Sequence, residues 1–210
     1  MKRILIVDDH AVLREGVKRL FDRQAGTTSF GEASSGHEAL RLAREEEWDI
    51  VVLDLSLGDR SGLEVLKALK QMRPQLPVLI LSMHTEVPFA RRAFKAGAAG
   101  YVTKDSSRAE LMRAIQKVMD HGKYVSDSLA EQLVVDIGRD PDRARHEALS
   151  DREFEVMRLI ASGKTVGEIA KLLSLSDSTI STYRARILEK MGMKTNAELT
   201  HYAIHDGLVE

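Results

Sequence analysis

The stretch WDIVVLDLSLGDRSG, from Trp48 to Gly62, decides the fold. Its residues 50–53 are an unbroken apolar run in which three of the four side chains are β-branched, a composition typical of a strand buried on both faces of a sheet. Asp54 follows directly, and the chain then turns at Gly58. Because ligands of parallel α/β sheets bind beyond the carboxyl ends of the strands, this pattern predicts a functional carboxylate at that edge.

The first 121 residues repeat an alternation of strand and helix. Apolar, β-branched runs predict strands at 2–7, 28–33, 50–53, 78–81 and 100–102. Helical periodicity follows each strand, at 10–23, 36–47, 61–73, 86–96 and 106–121. Such alternation requires right-handed crossovers between parallel strands. We therefore predict an α/β domain over residues 1–121, with a doubly wound, five-stranded parallel sheet and helices on both of its faces.

The composition is that of an ordinary globular chain. Hydrophobic residues make up 43% and charged residues 30% of 210 residues, which excludes a disordered protein. No apolar run reaches about 18 residues and the N-terminus MKRILIVDDH turns acidic early, so we predict neither a membrane span nor a signal peptide. There are no cysteines, which excludes disulfides and thiolate metal sites and is compatible with a cytoplasmic protein. The net charge of −1 means that any DNA binding would depend on locally placed charge.

The remaining sequence predicts a linker and a small helical domain. Residues 122–147 end in a charged segment with a proline and a glycine, which is typical of a linker, and a helix is predicted within it at 126–137. From residue 148 to 210 four helical segments follow without a strand signal. Three of them begin with Ser or Thr three residues before Glu, the pattern of a capping box, at Ser150, Thr165 and Thr195. Two glycines stand where helices should end, at Gly163 and Gly192.

Polar side chains follow four of the predicted strands. Asp8 and Asp9 follow the first strand, Asp54 the third and Ser82 the fourth, and Lys104 comes shortly after the fifth. Each of them alone is most simply a turn or surface residue. Together they converge on one edge of the sheet, where three carboxylates would repel one another unless a cation lay among them. Mg²⁺ fits such a site, because it takes one or two carboxylates and shares its other positions with water and phosphate.

Residues 1–121 resemble the receiver domain of bacterial two-component response regulators, which has a flavodoxin-like fold. The motifs ILIVDDH, VVLDLSLGDRSG, VLILSMH and AGAAGYVTK match in order. The resemblance implies that Asp54 accepts a phosphoryl group and that Mg²⁺ is the cofactor, since a carboxylate can attack phosphorus in line while the cation and a lysine neutralise its oxygens. It also implies supporting roles: Asp9 and the Ser56 carbonyl as metal ligands with Asp54, Asp8 as a ligand through water, Lys104 as partner of the phosphoryl oxygens, and Ser82 with Tyr101 as a switch pair. Two positions depart from the family pattern, because Gly58 and Asp105 stand where proline is usual.

Residues 148–199 resemble a LuxR-type helix-turn-helix module, so that the whole chain resembles the NarL/FixJ class of response regulators. The second helix of this motif has an apolar side that includes Arg184, which we expect to pair with Glu153 or Glu155. Its opposite side would enter the major groove. The candidate DNA contacts on and before this helix are Lys164, Thr165, Ser178, Thr179, Ser181, Thr182, Ala185, Arg186 and Lys190.

The resemblance implies a transcription regulator that is switched by phosphorylation. It also implies that the chain is not an enzyme, since its receiver domain would catalyse only its own phosphoryl transfer and dephosphorylation. Its expected partners are a sensor histidine kinase, promoter or operator DNA, a second copy of the chain in a homodimer, and RNA polymerase. Three alternatives stay open: a DNA-binding regulator with a purely structural receiver domain, a helical interaction module in place of the DNA-binding domain, and an aspartate-nucleophile phosphatase. The phosphatase would need a second acid two residues after Asp8, where His10 stands.

Overall fold

The computed structural model describes residues 2–21, 27–83, 87–137 and 145–209. The chain divides into two compact units, Met1–Asp136 and Ile137–Glu210. The first contains the parallel sheet and its helices, and the second is helical throughout its described part. The finer division that we predict, at residues 121 and 148, stays a prediction.

The first unit contains a five-stranded parallel sheet in the order β2-β1-β3-β4-β5. The strands are β1 Lys2–Val7, β2 Thr28–Ala33, β3 Ile50–Leu53, β4 Val78–Ser82 and β5 Gly100–Thr103. Strand order reverses between β1 and β3, and this reversal creates the switch point at which flavodoxin-like sheets bind their ligands. The predicted doubly wound α/β fold is therefore confirmed.

Six helices of the described chain belong to this unit, of which the first four connect successive strands as crossovers and the last two follow β5. They are α1 Ala11–Arg19, α2 Gly36–Glu45, α3 Gly62–Met72, α4 Val87–Lys95, α5 Arg108–Met119 and α6 Asp127–Ile137. Ser35 and Ser107 cap α2 and α5, because each side-chain oxygen accepts a hydrogen bond from a backbone N–H in the first turn. The predicted first helix was longer, and its last residues, 22–23, lie outside the described part of the chain.

The core lies on both faces of the sheet, because successive strand side chains point in opposite directions. Ile50 and Val52 of β3 belong to a cluster that includes Val17 of α1 and Ile115 of α5. The alternate residues of β3, Val51 and Leu53, are buried as well. A strand that is fully buried on both faces gives the residue at its end a rigid support.

The second unit consists of a 3₁₀ turn, Arg145–Ala148, and the helices α7 Asp151–Ala161, α8 Val166–Leu172, α9 Asp177–Met191 and α10 Asn196–His205. The capping boxes at Ser150 and Thr165 are complete. The third predicted box is only half formed: Thr195 accepts from the N–H of Glu198, but that carboxylate accepts from the N–H of Lys194 at 2.8 Å. Gly192 closes α9 in the left-handed conformation, with φ of 65°. None of the described helices is long and apolar enough to cross a membrane.

Candidate functional site

Two neighbouring strands bring buried carboxylates together at the carboxyl edge of the sheet. Val7 pairs with Leu53, so that Asp8 and Asp54 leave β1 and β3 side by side. The backbone N–H of Asp54 donates to the carbonyl of Val7 at 2.9 Å and continues the ladder. Asp8 and Asp54 are both 1% exposed, whereas Asp9 is exposed. Buried carboxylates of this kind need a cation nearby.

Lys104 supplies part of that positive charge. Its Nζ lies 2.6 Å from Oδ2 of Asp54 and 2.8 Å from Oδ2 of Asp8. The lysine is the first residue after β5, and it is held at this edge because its backbone N–H donates to the carbonyl of Ser82 at 2.8 Å. Sequence reasoning predicted this convergence, and the structure brings these three charged groups into contact.

The electrostatics of the cluster leave negative charge in excess. Burial raises the pKa of the Asp54 carboxyl, and the nearby Lys104 only partly offsets this rise. Burial lowers the pKa of the Lys104 ammonium, but Asp54 and Asp8 outweigh that effect and its pKa is raised overall. Oδ1 of Asp54 is buried and accepts no hydrogen bond of ordinary geometry from the described part of the chain, although the Ser56 backbone N–H also acts to lower the pKa of this carboxyl. One ammonium therefore does not satisfy the carboxylates, and a further cation would.

Two residues that sequence reasoning did not select support the β1–α1 loop. The His10 backbone N–H donates to Oδ1 of Asp8 at 2.8 Å, and Nδ1 of its exposed ring lies 2.7 Å from Oδ1 of Asp9. Arg14 of α1 donates from Nη1 to the carbonyl of Asp8 at 2.7 Å and from Nε to Oε2 of Glu32 at 3.0 Å. The only sequence signal for Arg14 was its place one helical turn after His10, and an arginine on a helix surface carries little information by itself.

The loop between β3 and α3 is tied to its surroundings. The Asp59 carboxylate accepts hydrogen bonds from the backbone N–H groups of Gly36 at 2.8 Å and His37 at 3.0 Å, at the start of α2. At the end of the loop, Gly62 packs so closely that a Cβ there would lie 2.2 Å from the carbonyl oxygen of Asp54. The local backbone around Asp54 thus requires glycine at this position.

The remaining predicted receiver residues lie around this edge. Ser82 ends β4 and is fully buried, and Tyr101 of β5 is fully buried too. Ser56 is half-buried and forms an isolated antiparallel bridge with Ser61. Their proposed roles stay predictions.

In the second unit, α8 and α9 form a helix-turn-helix. The turn contains Ser174 in the left-handed region, with φ of 52°, and Ser176 caps α9 by accepting from the N–H of Thr179 at 3.1 Å. Buried Arg152 of α7 holds this turn, because it donates to the carbonyl of Leu173 at 3.1 Å. Sequence reasoning did not identify Arg152, whose contact spans 21 residues of chain.

The two sides of α9 differ as the helical periodicity predicts. Buried side chains occupy one side, namely Ile180, Ile187, Leu188 and Met191. Arg184 does not pair with either predicted glutamate, and that prediction is wrong: its Nε donates to Oδ1 of Asn196 at 2.7 Å. Glu153 instead binds Lys190 at 2.6 Å, and Glu155 binds Arg152 at 2.8 Å.

The opposite side of α9 carries the candidate DNA contacts. Six of the candidate contacts on α9 are exposed, namely Ser178, Ser181, Thr182, Ala185, Arg186 and Lys190. Two hydroxyls donate back to their own helix, Ser181 to the carbonyl of Asp177 at 2.8 Å and Thr182 to that of Ser178 at 2.9 Å. Their lone pairs and the Thr182 methyl group therefore remain for a base edge.

The candidate contacts before and at the start of α9 are partly committed to helix caps. Thr165 caps α8 and its hydroxyl also contacts Oε2 of Glu168 at 2.7 Å, while Thr179 contacts the capping Ser176. Lys164 is exposed. Arg186 is exposed and makes no ion pair with any residue that the structure describes, whereas Lys190 is already paired with an acidic side chain.

Comparison with known proteins identifies both units. Residues 4–116 match the response regulator receiver domain, and residues 147–203 match the bacterial regulatory proteins of the luxR family. Response regulator UvrY of Escherichia coli (strain K12) is 34% identical over 209 residues, which cover 99% of this chain and 96% of that protein.

Solved structures agree with this family and fold. A two-component response regulator of the LuxR family from Aurantimonas sp. SI85-9A1 is 40% identical with a TM-score of 0.61, and covers 65% of this chain and 98% of that one. RcsB from Salmonella enterica serovar Typhimurium, bound to a promoter in the presence of the phosphomimetic BeF3−, is 26% identical with a TM-score of 0.59, over 96% of this chain and 97% of that one. The chain therefore belongs to the DNA-binding two-component response regulators, with a receiver domain followed by a regulatory domain of the luxR family.

Proposed function

We propose that this chain is a transcription regulator whose activity is switched by phosphorylation of Asp54, with a sensor histidine kinase as the phosphodonor. The observation that carries the proposal is the environment of this carboxylate. It ends a rigid core strand, its Oδ2 is bound by Lys104 at 2.6 Å, and its Oδ1 accepts no hydrogen bond of ordinary geometry from the described residues. A nucleophilic oxygen is thus held firmly without being consumed by an internal contact.

The chemistry follows from these contacts. Oδ1 of Asp54 attacks phosphorus in line, the new P–O bond forms, and the bond between phosphorus and the donor breaks. Lys104 neutralises charge on the phosphoryl oxygens, and Asp8 keeps the ammonium in place at 2.8 Å. The receiver domain catalyses only its own phosphoryl transfer and dephosphorylation.

The residues present fit Mg²⁺. Ligand atoms of Asp8, Asp9, His10 and Asp54 all lie within 4.8 Å of one another. The buried carboxylates of Asp8 and Asp54 share one ammonium, so a hard cation would balance their charge, and Mg²⁺ would neutralise the charge that develops during transfer. We assign Asp9, Asp54 and the Ser56 carbonyl as its ligands, with Asp8 acting through a water.

The switch would pass from the phosphorylated edge to the DNA-binding domain through Ser82 and Tyr101. Both side chains are fully buried, so a new charged group beside Ser82 would have to be accommodated by rearrangement of packed residues. We propose that this rearrangement favours a homodimer. Dimerisation would matter because two half-sites add their binding free energies.

The exposed side of α9 is the proposed DNA-reading surface. It would lie in the major groove, with Thr182 and its small neighbours near base edges, and with Arg186, Lys164 and Lys190 near phosphates. The RcsB structure bound to a promoter in the presence of a phosphomimetic supports both parts of the proposal, DNA binding and its link to phosphorylation. RNA polymerase is a further proposed partner.

Sedimentation velocity tests the switch. The full-length chain with Mg²⁺ and acetyl phosphate should shift from monomer to dimer, and its affinity for DNA selected from a random-sequence pool should rise. Asp54→Asn should show neither change, while Asp120→Asn, an exposed aspartate at the end of α5, should behave as wild type. If Asp54→Asn dimerises and binds DNA as wild type does, the receiver domain is structural and the regulator acts without phosphorylation.

A further inference from the structure

The loop between β3 and α3 is closed at its base and faces the nucleophile. The N–H of Gly62 donates to the carbonyl of Leu55 at 2.9 Å, and Ser56 forms its antiparallel bridge with Ser61. Burial raises the pKa of the Asp54 carboxyl, and the backbone N–H of Ser56 is one of the groups that oppose this rise. The base of the loop therefore presents a backbone donor to the carboxylate that we propose to be phosphorylated.

The tip of the same loop is tied to α2 by Asp59. Its Oδ1 accepts a hydrogen bond from the backbone N–H of Gly36 at 2.8 Å, and its Oδ2 accepts one from that of His37 at 3.0 Å. These are the first two N–H groups of α2, which have no partner within their own helix. Nδ1 of the His37 ring lies 2.7 Å from the same Oδ2. Hydrogen bonds from backbone N–H groups to a carboxylate are charge-assisted, so this tie is strong as well as directional.

Glycines on both sides of this contact make the loop dependent on it. At Gly36 a Cβ would lie 2.6 Å from Cγ of Arg60 and 2.6 Å from Cγ2 of Val65, so the start of α2 comes this close only because it carries no side chain there. Gly58 stands directly before Asp59, at a position where proline is usual in the family, and it leaves the backbone of the tip unrestricted. The tip is thus fixed by a contact with another element, where a proline would fix it through its own backbone.

We propose that Asp59 is a positioning residue for phosphoryl transfer, because its bonds to α2 fix the loop that holds the Ser56 N–H against the Asp54 carboxylate. The inference rests on the proposed function, since it concerns the same phosphoryl group. When Oδ1 of Asp54 attacks phosphorus and the bond to the donor breaks, negative charge is spread over the phosphoryl oxygens. A backbone donor stabilises that charge only where it is already aimed at it, so release of the loop raises the barrier. Hydrolysis involves the same oxygens, and therefore both steps depend on the position of the loop.

The rates at which acetyl phosphate phosphorylates the full-length chain, and at which the chain loses the group again, test the proposal. Asp59→Ala should slow both steps at least about tenfold in excess Mg²⁺, because misplaced groups at a reacting centre cost such factors. Gly58→Pro in the Asp59→Ala chain should restore both rates to within about threefold of wild type, since proline fixes the backbone of the tip. Asp49→Ala is the matched control and should keep wild-type rates. It removes a carboxylate that also accepts a backbone N–H, that of Arg3 at 2.7 Å, but it lies just before the amino end of β3.

The outcomes separate this inference from the proposed function. Wild-type rates in Asp59→Ala would overturn it, and so would a loss that Gly58→Pro does not restore, since Asp59 would then stabilise the fold without positioning the loop. Asp59→Asn keeps an acceptor for one of the two N–H groups and should slow both steps less. If Asp59→Ala does not fold, wild-type rates in Asp59→Asn would overturn the inference alone. A wild-type chain that takes up no phosphoryl group on Asp54 would overturn the proposed function, and this inference with it.

Discussion

Gly62→Ala should strongly destabilise the receiver unit. The added Cβ would lie 2.2 Å from the carbonyl oxygen of Asp54 and 2.5 Å from Cα of Leu55. Both neighbours are backbone atoms, which cannot rotate away as a side chain could. Inserting a methyl group into packed structure costs about 1–3 kcal/mol or more, and the rigid neighbours place this variant at the upper end, near 3 kcal/mol. The same displacement would move the nucleophile, so phosphorylation should be slower.

Gly16→Ala is the matched control, because a Cβ at Gly16 of α1 meets nothing within 4 Å. It should stabilise the unit by about 0.5–1 kcal/mol through helix propensity. Trp48 is the single tryptophan of the chain and belongs to the receiver unit, so its fluorescence in urea titrations reports this unit alone. Equal stability of Gly62→Ala and wild type would refute the close backbone approach around Asp54.

Three further variants test other contacts. Asp54→Asn should raise the free energy of unfolding by about 0.5–2 kcal/mol at neutral pH, because burial raises the pKa of this carboxyl and the folded state therefore resists its ionisation. In urea titrations the gain should shrink as the pH falls below that raised pKa, and it should vanish below the ordinary pKa of an aspartate. Arg14→Gln should weaken Mg²⁺ binding about tenfold, because it releases the Asp8 carbonyl, whereas Arg19→Gln should leave Mg²⁺ binding unchanged. Equal Mg²⁺ affinities of Arg14→Gln and wild type in calorimetry would show that Arg14 does not support the site. Arg186→Ala should reduce the slope of log affinity for DNA against log salt by about one. Lys190→Ala should reduce this slope less, because its ammonium is already paired. A larger reduction for Lys190→Ala than for Arg186→Ala in salt titrations would contradict the assignment.

The sequence was sufficient for the fold and for the centre of the site. The β3 run is apolar on both faces, and its alternation with helical segments along the chain favours a parallel sheet covered by helices. Once the strands were placed, topology alone required that Asp8, Asp54 and the lysine after β5 meet at one edge, and the structure has this contact at 2.6–2.8 Å.

The choice of partners among charged surface residues could not be predicted. Arg184 binds Asn196, which carries no charge, and Lys190 binds the buried carboxylate of Glu153 across 37 residues of chain. Exposed ion pairs differ by less than about 1 kcal/mol, so sequence patterns do not rank them. The partner of Glu198 could not be predicted either, because the N–H of Lys194 competes with the N–H of the cap residue Thr195 for its carboxylate.

Intact-mass and peptide-level mass spectrometry after incubation with acetyl phosphate and Mg²⁺ tests the central claim most directly. The account predicts one added phosphoryl group per chain, located on Asp54, dependent on Mg²⁺ and absent from Asp54→Asn. Labelling of Asp54→Asn to the same extent as wild type, or a phosphoryl group located on another residue of the wild-type chain, would contradict it.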